Sequence, residues 1–271
     1  MAKDRVSRLL DEIEQASADT SISLADALRK CVILGGRAGS TQLRDWATRE
    51  LKGYGTPDEL PEYRKQGAVL MVEAFKGGPF TGVAKVTQQI GPHQLPDPAD
   101  KHIGEEVPLV GGIGELESYR VQAKANNGSI RLSIPHAAMA VQLMNHELQV
   151  PGQQITGLFW ELSESGIAGV LDHVRTILAE LVAEIRAGLP DDESIPSPAL
   201  ADQAVNVAVH GAKRVNINTA QAAGPGSHTV TATQGSPEGR SLWAKIGAAV
   251  VGVATVGGVV VAVLQWQGWG F

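Results

Sequence analysis

Chemistry that leaves a mark in sequence is scarce in this chain. It has one cysteine, Cys31, so no intramolecular disulfide can form. Cys31 sits within a helical pattern, where a small buried apolar residue fits better than a catalytic thiol. No Walker lysine motif, GxSxG elbow, HExxH or CxxC occurs, and no lysine follows the glycine-rich Gly111-Gly112-Ile113-Gly114. Histidines stand at 93, 102, 136, 146, 173, 210 and 228, and no two share the three- or four-residue spacing of a helical metal site. The paired acids Asp58-Glu59, Glu105-Glu106 and Asp191-Asp192 fall in loop-like sequence, where solvation is their simplest role. The reading is therefore of a protein that is no enzyme, with no metal and no cofactor.

A secretory signal is absent as well. The opening MAKDRVSRLLDEIEQ is charged and has no apolar h-region, so the bulk of the chain is expected inside the cell. Charge is missing altogether from Ile246–Phe271, the last 26 residues. The first nineteen of these, IGAAVVGVATVGGVVVAVL, would make a helix roughly 28 Å long, about the thickness of a bilayer hydrocarbon core. Trp243 precedes the run and Trp266 and Trp269 follow it, where an interfacial aromatic belt belongs. Arg240 and Lys245 lie before the span and no Lys or Arg follows. This predicts a single-pass protein of the bacterial inner membrane with its N-terminal part in the cytoplasm.

Net charge is −6, of which residues 200–245 carry +2 and the preceding 199 residues −8. An acidic head and a mildly basic neck argue against nonspecific coating of nucleic acid by the head.

Patterning along the chain predicts an α+β architecture. Val6, Leu9, Leu10 and Ile13 mark a first helix. A second is capped by Ser23 and broken at Gly35, Gly36 and Gly39. A third is capped by Ser40 or Thr41 and stopped by Gly53 and Gly55. Residues 67–75 and 81–86 read as strands, residues 91–110 as a loop, and a short helix follows over 114–119. Ile130, Leu132 and Ile134 alternate as a strand, a helix runs from Pro135 to Leu148, and 154–162 is a further strand. The strongest soluble helix is Gly166 to Gly188, with an apolar stripe from Ile167 to Ile185.

Composition divides the chain into a cytosolic head (1–188), a Pro- and acid-rich linker (189–199), a β-rich oligomerising neck (200–233), a flexible lead (234–241) and one C-terminal transmembrane helix (242–271). The neck's strands are read from alternating Val205, Val207 and Val209, from Val215 and Ile217, and from Thr229 to Thr233. Three such strands need other copies or the head to bury a core. Lys213, Arg214 and Asn216 are the candidate ligand-binding residues, and Asn218 stands beside them. They could face a phosphate-bearing ligand, or simply form a solvated turn.

Small residues are the distinctive content of the span. Ala248, Gly252, Thr255, Val259 and Ala262 fall on one left-handed helical seam, and Thr255 is the span's one polar side chain. A passive anchor gains nothing from such a seam, whereas an assembly of spans does. The seam predicts a homo-oligomer, with four copies as one candidate count.

Ser23-Leu24, Leu28-Arg29-Lys30-Cys31 and Leu34, then Gly39-Ser40, Leu43, Trp46-Ala47, Glu50-Leu51-Lys52-Gly53-Tyr54 and Leu60-Pro61-Glu62-Tyr63-Arg64, resemble the AbiTii domain of bacterial phage-defence proteins. The helix Gly169 to Arg175 is similar to that domain's C-terminal helix, and the likeness covers about residues 5–187. It implies abortive infection and supplies no catalytic residues. Head, neck and span together also resemble the membrane effector of Hailong-type systems. That resemblance implies a nucleotide or single-stranded DNA oligomer made by a partner nucleotidyltransferase, with inhibition as one mode, gating a membrane-depolarising pore. The alternative is a tail-anchored scaffold that recruits a partner to the membrane.

Overall fold

Caps and glycine stops set the first three helices, α1 (Ala2–Ala18), α2 (Leu24–Ala38) and α3 (Thr41–Lys52). The Ser23 hydroxyl accepts from Asp26 N at 3.4 Å, and Ser40 Oγ accepts from Leu43 N at 3.0 Å, each relieving an orphan amide of a first turn. Gly39 ends α2 in the left-handed region at φ 70°. Gly35 and Gly36 do not break α2 as expected. A Cβ at Gly35 would lie 2.9 Å from Arg44 N, so glycine there lets α3 pack close against α2. The apolar faces of both helices supply the buried Leu24, Leu28, Cys31, Leu34, Leu43 and Ala47.

This computed structural model describes residues 2–78, 82–148, 150–190 and 195–211, all within one unit that spans Met1–Ile217. Beyond α3 come strands β1 (Lys65–Gly67), β2 (Val69–Gly78) and β3 (Gly82–Gln89), then the short helix α4 (Ala99–His102), strand β4 (Glu106–Pro108) and helix α5 (Ile113–Ala125). The chain continues through β5 (Ser129–Ser133), α6 (Ala137–Leu148), β6 (Gln153–Ser163), α7 (Glu164–Gly188) and α8 (Pro198–His210). The fold is α+β, with two antiparallel sheets among the described residues: β1 with β4, and a four-stranded sheet in the order β3-β2-β6-β5. The expected loop over 91–110 thus contains a helix and a strand. Lys65 faces Pro108 in the small sheet, a pairing between distant segments that no local pattern announces.

Alternation gives the larger sheet two unlike faces. Leu70, Val72, Ile130, Leu158, Trp160 and Leu162 are buried on one side, while Val69, Phe75 and Arg131 stand exposed on the other. A register shift at Glu73/Ala74 interrupts the β2–β6 ladder. There Asn145 of α6 brackets Ile155, donating to its carbonyl and accepting from its amide, both at 2.8 Å. Ser163 caps α7, whose stripe from Ile167 to Ile185 is buried against α1, α5 and α8.

The expected strand over Val205, Val207 and Val209 is instead helix α8. Ser197 caps it, accepting from Leu200 N at 3.2 Å; Pro198 opens it, and Gly211 ends it in the left-handed conformation. Ala201, Ala204, Val205 and Ala208 recur at helical spacing and are buried, so the valine alternation is incidental to an alanine-rich helical face. Ser40 Oγ donates to Asp202 at 2.5 Å, and Leu200 lies over Gly188, where a Cβ would approach it to 2.3 Å. Residues 198–210 therefore share the core placed in the head, while the rest of the expected neck, the lead and the expected membrane segment lie outside the described residues. Among the described residues, no helix is long and apolar enough to cross a membrane.

Helix and strand make opposite demands on Val205 and Val207. Val205→Asp places a charge at a 3% exposed position and should destabilise the head by about 3 kcal/mol, whereas Val207→Asp should cost less than about 1 kcal/mol. Urea midpoints followed by tryptophan fluorescence test this; equal losses would refute the helical register.

Candidate functional site

A buried ion pair lies at the meeting point of four segments. Arg64, in the helical turn after Pro61, is fully buried, and so is Glu50 on α3. Arg64 Nη2 donates to Glu50 Oε2 at 2.5 Å, while Nη1 donates to the carbonyls of Gly111 at 2.6 Å and Leu109 at 3.2 Å. The same carboxylate accepts from the Tyr63 hydroxyl at 2.6 Å and from the Tyr54 hydroxyl. The Arg64 guanidinium lies 5.3 Å from the Tyr54 ring centroid, and the Tyr63 ring packs on His173 of α7 at 4.5 Å. Burial first, and the negative Glu50 second, push both phenols well above the ordinary tyrosine range. Both therefore remain donors at neutral pH.

Glycine makes room for this cluster. At Gly53, φ is 94° and a Cβ would meet Val110 O at 2.5 Å; at Gly112 it would meet Leu51 O at 2.2 Å. The end of α3 thus runs against residues 109–112 backbone to backbone, with Tyr54 N donating to Val110 O at 2.9 Å. The Gly111-Gly112 pair that failed as a phosphate loop is a packing device.

Arg175 of α7 repeats the theme at the turn between α1 and α2. It is 9% exposed and donates to the carbonyls of Ala16, Asp19 (3.1 Å) and Ile22 (2.9 Å), closing the turn between α1 and α2. Glu50, Gly53, Tyr54, Tyr63, Arg64, His173 and Arg175, which carry the sequence resemblance, are thus fold-holding residues. The Glu50 carboxylate and the Arg64 guanidinium are occupied by each other, by the two tyrosine hydroxyls and by backbone carbonyls.

Beside it opens a cavity of about 740 Å³. Its walls come from segments that flank the cluster (Pro57, Asp58, Lys65, Pro108), from Ile103, Gly104 and Glu106, and from the start of α6. Apolar surface dominates, from Ile103, Ile134, Met139, Leu143 and Trp160. Trp160 Nε1 donates to Gly104 O at 2.8 Å, which leaves its ring as wall. His102 and His136 lie at the edge with Asp58 and Glu106, and Lys65 is held by Glu62 at 2.6 Å. A mostly apolar wall whose lysine is already paired suits a neutral apolar guest better than an anion. Among the described residues, no group of His, Cys, Asp and Glu could hold a metal ion.

Lys213, Arg214 and Asn216, and the seam residues Ala248, Gly252, Thr255, Val259 and Ala262, all lie outside the described residues. Sequence reasoning missed the cavity because its lining is drawn from separate segments with no shared spacing. It also missed the ion pair, although Glu50 and Arg64 were both within the resembling motifs. A glutamate on the apolar side of α3 beside Trp46 and Ala47 was the available signal.

Removing one member of a buried pair strands the other. Arg64→Met and Glu50→Gln should each destabilise the head by about 3–5 kcal/mol, and the double variant should lose clearly less than their sum. Chemical denaturation of the four proteins measures the coupling, and strict additivity would contradict the pairing.

The AbiTii family model matches residues 8–210, which takes in both arginine clusters and α8. No curated protein and no solved structure matches the chain. The matched region is well over half of the sequence, and the chain belongs to the AbiTii family of abortive-infection proteins.

Proposed function

We propose that this AbiTii protein is a membrane effector of phage defence, which assembles through its C-terminal segment and depolarises the bacterial inner membrane. The observation that carries the reading is the charge-free Ile246–Phe271 with its small-residue seam. Family membership supports the context, since abortive infection requires an arm that harms or arrests the infected cell. In this reading the head has a controlling role.

Control is assigned to a nucleotide or short single-stranded DNA oligomer supplied by a partner nucleotidyltransferase, holding the effector silent or releasing it. Lys213, Arg214 and Asn216 are the candidate receptors, multiplied into a basic ring when copies assemble. The largely apolar head cavity is a poor match for such an anion, which favours the basic residues after Gly211 as its seat. The second reading, a tail-anchored scaffold, needs only the hydrophobicity of the same segment.

Expression apart from its neighbouring genes should collapse membrane potential, read with a potential-sensitive dye, and Gly252→Asp or Thr255→Asp should abolish that effect. Fully polarised cells at high expression would overturn the proposal. Exchange of residues 246–264 for polyleucine separates the two readings: retained defence favours the scaffold, and lost defence the assembly.

A further inference from the structure

The four-stranded sheet ends in an open strand. β3 has β2 as its sole strand neighbour among the described residues, and all eight of its residues are exposed. Ladder geometry tells which backbone groups are free. Ile90 N donates to Leu70 O at 2.9 Å, so even-numbered residues on this side bond to β2. Gly77 N donates to Gly152 O at 2.8 Å, in keeping with odd-numbered β2 residues facing the other way. By that alternation Val83, Lys85, Thr87 and Gln89 turn their N–H and C=O groups outward, while Ala84, Val86 and Gln88 face β2.

Soluble proteins commonly guard such an edge with an outward lysine or a proline. β3 has no proline, and Lys85 is its one charged residue. That charge is drawn inward: Lys85 Nζ sits 2.9 Å from Glu73 Oε2 on β2, and Arg131 reaches the same oxygen at 3.2 Å. What faces outward is a neutral row of amides, flanked by Val83 (76% exposed) on one face and Val86 (45%) on the other.

We propose that β3 is an interface between copies: the β3 strands of two chains pair antiparallel about a two-fold axis at Val86, giving one continuous sheet with four strands from each copy. The edge is complementary to itself. A two-fold normal to the sheet sets odd residues opposite odd ones, so the free groups meet. Centred on Val86, Lys85 lies opposite Thr87 and Val83 opposite Gln89, and each of these pairs exchanges two backbone hydrogen bonds. Val86 meets Val86 and Ala84 meets Gln88 on the other face. A centre at Lys85 would set the two lysines face to face, which is unfavourable, and a centre at Thr87 would leave Val83 and Ala84 unpaired. Centred on Val86, each Lys85 lies opposite the neutral Thr87 of the other copy and keeps its own Glu73 as partner, so the two lysines are held apart.

The register has a sharp chemical signature. At a wide pair the Cα atoms stand about 4.5 Å apart, within reach of a disulfide. In the full chain in detergent, Val86→Cys oxidised with copper-phenanthroline should give a covalent dimer on a non-reducing gel. Ala84→Cys and Gln88→Cys should each stay monomeric, because their copies lie about 13 Å apart, and the Ala84→Cys/Gln88→Cys double variant should link. Cys31 gives no background: it is fully buried, and desolvation pushes its thiol up to about 12. Thr87→Pro removes an outward N–H while sparing the β2 ladder, and added to Val86→Cys it should cut cross-linking at least tenfold with an unchanged urea midpoint.

Equal linking by all three single cysteines, no linking by Val86→Cys, or indifference to Thr87→Pro would overturn the inference. A chain that associates yet fails to link at residue 86 refutes this interface and leaves the membrane proposal standing. One that links there in cells that keep their potential does the reverse.

Discussion

Burying Glu50 and Arg64 together removes both charges from water, and that penalty is recovered only because almost every polar atom of the pair finds a partner. Those partners are what tie the head together. Two tyrosine hydroxyls come from the 54–64 segment, two carbonyls from the 109–111 segment, and the tyrosine ring rests on α7. An arrangement of this kind tolerates little rearrangement, since moving α3, the 54–64 segment or the 109–111 segment would strand a buried polar group. The chain therefore reaches its packing through a polar keystone set in an apolar core. Arg175 acts similarly on a smaller scale, gathering the carbonyls of Ala16, Asp19 and Ile22 where the chain turns from α1 into α2.

Family sequence signatures are often searched for catalytic meaning. In this head the residues that carry the signature are spent on each other. Among the described residues, the surfaces that stay open carry no signature: an apolar cavity and the outer edge of β3. The cavity and the β3 edge both flank the same sheet, yet they differ in kind. One is concave and lined by side chains, and the other offers backbone groups to a partner strand.

Helices α1 to α3 and α7 were legible because their signals are local: a serine cap, a glycine stop, and an apolar stripe at helical spacing. β2, β5 and β6 were legible by alternation. α8 was misread because its valines alternate while its alanines recur at helical spacing, and the two patterns favour opposite structures. Burial of Ala201, Ala204, Val205 and Ala208 against neighbouring helices decides between them. β4 was invisible for a different reason. A three-residue strand exists only because β1 lies beside it, some forty residues away in the chain.

By itself the sequence determined the family, the α+β composition, the order of the strong elements, and the presence of one long uncharged apolar run. Each of these follows from residue types and near-neighbour spacing, which a linear chain displays directly. Tertiary structure alone decided that the motif residues form a buried ion pair, that Gly53 and Gly112 serve backbone contact, that residues 198–210 are helix within the head, and that β3 is an edge. These depend on which distant segments meet, and burial and hydrogen-bond pairing are properties of that meeting.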